Sequence, residues 1–129
     1  MNNEIALDTN IAIALLNGDE VFNTFFDAFE MVYLPITTIG ELLFGAMNSK
    51  RSKQNLHELN ILIKRCEILN INELIANEYA KIRLQLKKVG RPIPENDIWI
   101  AATCKVNNIP LMTKDKHLTY VDNLEVITL

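Results

Sequence analysis

The feature that most constrains this chain is an alternation of short apolar runs, several ending at an acid or a helix start, with longer stretches of helical apolar spacing. Residues 4–7, Glu-Ile-Ala-Leu, read as a strand that ends at Asp8. Asp8-Thr9-Asn10 then offers helix N-cap chemistry, and Ile11 to Leu16 form an apolar helix closed by Asn17-Gly18. A second helix is expected from Asp19 to Glu30, with Val21, Phe22, Phe25, Phe26 and Phe29 at helical spacing. Met31 to Ile36 reads as a buried strand whose far end is weakened by Pro35, and Thr38 begins the helix that follows. From Ser52 to Arg65 the positions Leu56, Leu59, Ile63 and Cys66 step by three and four, an amphipathic helix. Glu67 to Ile71 is a short strand. Asn72 to Val89 is a helix with Ile75, Tyr79, Ile82, Leu86 and Val89 on one face, stopped by Gly90 and Pro92. Glu95 to Asn107 is helical, Ile109 to Met112 is a strand entering Thr113-Lys114-Asp115, and Leu124 to Leu129 is the last strand.

Strands alternating with helices in this way build an α/β fold, with a mostly parallel central sheet and helices on both faces. Ligands of such sheets bind outside the carboxyl ends of the strands. Asp8 and Asp115 each follow a strand, Glu41 lies in the first turn of a helix that follows one, and Asp97 opens a helix after a loop. At 129 residues the chain accommodates one domain with a real core, taken as residues 1–129. No apolar stretch approaches the roughly 18 residues of a membrane span, and Met1-Asn2-Asn3-Glu4 lacks the basic start of a signal peptide. Cys66 and Cys104 fall within apolar helical patterns and read as buried free thiols, which suits a reducing cytoplasm.

A net charge of −3 argues against holding nucleic acid by bulk positive charge. Its distribution is uneven: residues 1–49 carry seven acids and no base, whereas residues 50–91 carry ten bases against four acids. That basic segment reads either as solvated helix faces or as a phosphate-contacting rim beside an acidic pocket.

Each of the four acids has an ordinary structural role open to it. Thr38-x-x-Glu41 fits a capping box, Asp97 suits the helix macrodipole, Asp8 can cap a helix and Asp115 can hold a turn. Taken together, the winding of the sheet sends all four to one end, where they are expected to form a single cation cage. Carboxylates about 5 Å apart repel by roughly 3 kcal/mol per pair at an effective dielectric of 20. Protonation or a bound cation relieves that repulsion. Oxygen-only ligation favours Mg²⁺ or Mn²⁺ over Zn²⁺, and such ions activate water and offset charge on a phosphodiester.

Leu7-Asp8-Thr9-Asn10-Ile11 resembles the opening of PIN-domain proteins, and Thr37-Thr38-Ile39-Gly40-Glu41-Leu42 resembles their second acidic motif. Pro94-Glu95-Asn96-Asp97-Ile98-Trp99-Ile100-Ala101-Ala102 is similar to the third motif of VapC-type toxins, and Pro110-Leu111-Met112-Thr113-Lys114-Asp115 to the fourth. The four motifs run in order across almost the whole chain. The resemblance implies a PIN-like three-layer α/β/α sandwich and Mg²⁺- or Mn²⁺-dependent endoribonuclease activity as the toxin of a type II toxin–antitoxin pair. It also implies a homodimer and a small cognate VapB-like antitoxin. By position, Asp8, Glu41 and Asp97 would be the main metal-binding and catalytic carboxylates, with Asp115 completing the set. Thr9, Asn10 and Thr113 would be polar supports for metal, water or substrate.

Two rival readings remain open: a catalytically silent PIN-like scaffold that binds RNA or protein, and a receiver-like phospho-accepting signalling domain. The latter wants an early acidic pair and an Asp after a middle strand, where this chain has Asp8 alone and Asn72. His57 reads as surface decoration, His117, though closer to the fourth acid, is not promoted to a substrate contact, and Trp99 reads as core or dimer packing. Gly45 reads as permitting close helix packing or ending its helix. The cluster of Phe22, Phe25, Phe26 and Phe29 reads as core or partner binding rather than base stacking, and this early helix, Phe26 included, is a candidate lining of an apolar groove for a helical antitoxin.

Overall fold

The computed structural model describes residues 3–129, the side chains of residues 19–22 excepted. The expectations placed on Met1, Asn2 and the side chains of Val21 and Phe22 lie outside the described residues. The elements run β1 (Glu4–Leu7), α1 (Thr9–Leu16), α2 (Asp19–Ala28), β2 (Met31–Pro35), α3 (Ile36–Met47) and α4 (Ser52–Arg65). They continue with β3 (Glu67–Leu69), α5 (Glu73–Lys88), α6 (Glu95–Asn107), β4 (Leu111–Thr113), a 3₁₀ turn (Lys116–Tyr120) and β5 (Val126–Thr128). The 3₁₀ turn is the one element without a counterpart in the sequence reading.

All five strands are parallel, in the order β3-β2-β1-β4-β5. The chain therefore winds outward from β1 to β2 and β3, then returns to place β4 on the other side of β1. The direction of winding reverses between β1 and β4, and that switch point opens a crevice at the carboxyl ends of the two strands. Asp8 and Asp115 follow those strands.

Burial on both faces explains the apolar run Ile5-Ala6-Leu7 that makes up β1 after Glu4. Ile5 and Leu7 belong to one core cluster with residues of α1–α4, whereas Ala6 belongs to the other, with residues of α5 and α6. The three layers expected of an α/β/α sandwich are thus present. Leu59 and Leu62 are the fully buried positions of α4, while Leu56 and Ile63 are only partly buried. Gly90 ends the run after α5 with φ +71, a conformation that side chains disfavour. Val89 just before it is exposed rather than on the buried face. The basic segment is divided by the fold: α4 packs with α3 in one layer and α5 with α6 in the other, so its charges form no single rim.

Several local expectations are corrected. The Thr38–Glu41 capping box is absent, because α3 begins at Ile36 behind Pro35 and the buried Thr38 hydroxyl donates instead to the Leu7 carbonyl at 3.2 Å. Phe26 is a core residue with the Arg65 guanidinium 4.5 Å above its ring, which removes it as a groove lining. Gly45 neither ends α3 nor sits against a neighbour, since a Cβ built there meets nothing within 4 Å. Trp99 stacks on Tyr79 at 4.0 Å and packs on the second core, as core packing requires. His57 is exposed.

Candidate active site

The site grows from the end of β1. Asp8 caps α1, its Oδ1 accepting from the Thr9 backbone N–H at 2.8 Å. Only 3% of it is exposed, so its second oxygen also needs donors. The Thr113 hydroxyl donates to Oδ2 at 2.6 Å and the Asn10 amide at 3.3 Å. Thr113 is itself fully buried, and it accepts from the Asp115 N–H at 2.9 Å and from Asn10 at 3.4 Å. One hydroxyl thus uses its proton and both lone pairs to tie β4 to β1. The Asn10 carbonyl oxygen accepts from the Lys114 N–H at 3.0 Å, fixing the loop that carries Asp115.

Glu41 stands one turn beyond the Thr38–Leu7 bond, and its carboxylate accepts from the Thr9 hydroxyl at 3.0 Å. Asp115 holds its turn by accepting from the His117 N–H at 2.9 Å, and the His117 imidazole Nδ1 lies at the same distance from that oxygen. Asp97 lies in the first turn of α6, half-buried. Among the described residues no hydrogen-bond donor reaches its carboxylate. Its pKa rises to about 6, first because burial strips water from the charged form, then because Asp8, Asp115 and Glu41 repel it; His117 opposes this slightly.

The fold therefore brings all four acids to the crevice end of the sheet, within electrostatic reach of Asp97. It does not close them into the expected cage. Among the described residues no three carboxylate, imidazole or thiol groups converge tightly enough to hold one ion as they stand. The reason is visible in the bonds: Asp8 is drawn to Thr113 and Asn10, Glu41 to Thr9, and Asp115 to His117. Mutual repulsion favours that spreading. The donor set is nonetheless one that a hard divalent cation would suit, with oxygen ligands and an excess of negative charge registered at Asp97. Thr9, Asn10 and Thr113, which the resemblance implies as polar supports for metal, water or substrate, stand here as hydrogen-bond donors to the acids themselves.

Residues 5–124 match the PIN domain. The chain belongs to the PIN-domain family. It is 34% identical over 111 residues to "Ribonuclease VapC1" of Haemophilus influenzae strain R2866, covering 83% of each chain. It is 30% identical over 123 residues to "Ribonuclease VapC2" of Rickettsia felis, covering 92% of each. Among solved structures, VapBC2 of Rickettsia felis bound to a promoter DNA fragment superposes with a TM-score of 0.89 at 26% identity over 98% of both chains. VapBC-1 of nontypeable Haemophilus influenzae does so with a TM-score of 0.86 at 30% identity over 97% of both. The PIN-like architecture expected from the motifs is the architecture found.

Proposed function

We infer that this PIN-domain chain, residues 1–129 as one domain, is an endoribonuclease toxin of a type II toxin–antitoxin pair, hydrolysing RNA phosphodiester bonds with Mg²⁺ or Mn²⁺. The observation that carries this reading is the carboxyl of Asp97, which senses Asp8, Glu41 and Asp115 although those residues lie far apart in sequence. A charge excess of that kind costs stability unless a cation offsets it. Asp8, Glu41, Asp97 and Asp115 would hold the ion. When bound, it supplies Lewis acidity that lowers the pKa of water and offsets charge on the phosphoryl oxygens.

The side chains divide the remaining work. Thr113 and Asn10 fix the orientation of Asp8, and Thr9 that of Glu41. Asp97, whose carboxylate meets no donor among the described residues, is free to exchange its proton for a cation. Asp115 is anchored through its turn and His117. Relatives named VapC ribonucleases, and VapBC complexes of the same fold, support an RNA substrate and a VapB-like antitoxin. A homodimer follows the family resemblance. No helix among the described residues is long and apolar enough to cross a membrane, and two unpaired thiols suit the cytoplasm.

The test is cleavage-site mapping on total RNA with wild-type and Asp97→Asn protein, each with Mg²⁺, with Mn²⁺ and with EDTA. Cuts that need metal and vanish in Asp97→Asn are expected. Full cleavage by the variant defeats the assignment, and metal-replete wild type that cuts nothing turns the protein into a binding scaffold.

A further inference from the structure

Gly40 lies inside α3, where glycine is among the weakest helix formers. Neither usual justification applies to it. It does not adopt positive φ, and a Cβ built on it meets no atom within 4 Å. It is exposed, and it lines a cleft of about 530 Å³ together with Thr9, Thr37, Glu41, Phe44 and Asn96. Two of those residues, Thr9 and Glu41, belong to the hydrogen-bonded acidic centre.

The rest of the lining has a distinct chemistry. Phe44 follows Gly40 by one helical turn on the same face, and 69% of it is exposed. Every base presents a π-face to such a ring, whatever its identity. Thr37 and Asn96 add a hydroxyl and an amide, and neither takes part in the bonds that hold the four acids. Glu41 is the sole charged group in the lining, so beyond it a phosphate chain meets neutral donors.

We propose that this cleft is a nucleotide subsite, in which the RNA strand next to the cleaved bond lies against the α3 backbone at Gly40 and stacks a base on Phe44. This rests on the nuclease reading and adds to it the face from which RNA enters beside Glu41. A methyl at position 40 would stand between the sugar–phosphate chain and the helix. The missing side chain is thus explained by a ligand that must come close.

Gly45 provides an internal comparison. It is equally unopposed and exposed in the same helix, but it lines a different and more apolar groove, with Ile13, Leu16 and Leu59, which also touches Glu41. Both Gly→Ala changes should raise Tm by about 3 °C through helix propensity. They should part company in kinetics, measured on a fluorogenic oligonucleotide bearing a site mapped in total RNA. Gly40→Ala and Phe44→Ala are each expected to raise KM about tenfold with kcat within about threefold, as lost ground-state binding does. Gly45→Ala should leave KM unchanged. A wild-type KM in either Gly40→Ala or Phe44→Ala overturns the subsite while the nuclease reading stands. A fall in oligomeric state by light scattering that accounts for the KM change also overturns it, and gives the face to a second copy of the chain. Wild-type protein that cuts no RNA with metal present ends the nuclease reading and the subsite together.

Discussion

The junction of β1 with α1 and the entry to α6 both deliver an aspartate to the same crevice, and the protein treats the two in opposite ways. Asp8 is buried and accepts hydrogen bonds from Thr9, Asn10 and Thr113. Asp97 is half-buried, receives none among the described residues and faces three other carboxylates. The first acid is therefore part of the framework as well as of the site. The second is held, among the described residues, by its helix, and the other three acids repel its charge. A chain that keeps so poorly served a carboxylate is keeping it for something outside itself.

Substitutions should separate the two. Both Asp8→Ala and Asp97→Asn are expected to lower metal-dependent RNA cleavage on the order of a thousandfold, read as initial rates on a mapped site. Their stabilities should diverge. Asp8→Ala leaves buried donors unpaired and should cost about 3 kcal/mol in urea unfolding. Thr113→Val removes the 2.6 Å bond to Asp8 and should cost about 2 kcal/mol, with Thr113→Ser recovering most of it. Asp97→Asn should instead stabilise the metal-free protein by about 1 kcal/mol, discounted for its exposure to solvent, or about 4 °C in Tm. Equal destabilisation by Asp8→Ala and Asp97→Asn would erase the contrast.

The smallest effect is with pH, and its sign follows from linkage. The folded pKa of Asp97, about 6, exceeds its unfolded value, so the folded state binds the extra proton. Metal-free protein should thus be favoured at pH 4 and lose that contribution as pH climbs through 6. Thermal unfolding of wild type and Asp97→Asn across this range should show the slope in wild type and a flatter profile in the variant. A saturating divalent cation should remove the difference between low and neutral pH in wild type.

Much of this arrangement is legible in the sequence. The strand after Met1-Asn2-Asn3, the amphipathic repeat of Ser52 to Arg65 and the Gly90–Pro92 stop all depend on local spacing, which sequence records directly. The winding rule then sent Asp8, Glu41, Asp97 and Asp115 to one end of the sheet. What sequence could not express was competition between partners. Thr38 had a local bond on offer from a capping box and took a tertiary one to Leu7. Phe26 had the spacing of a groove residue, but the approach of Arg65 over its ring depends on how α2 meets α4. The spreading of the carboxylates likewise turns on donors 105 and 32 positions away, Thr113 for Asp8 and Thr9 for Glu41.

The return of β4 to the flank of β1 has a consequence for synthesis in the cell. A growing chain on the ribosome holds Asp8 and Glu41 well before Thr113 is made, and until that hydroxyl arrives Asp8 lacks its shortest bond. An incomplete copy therefore lacks an assembled crevice, and the cutting edge is finished only once its late strand has slotted home.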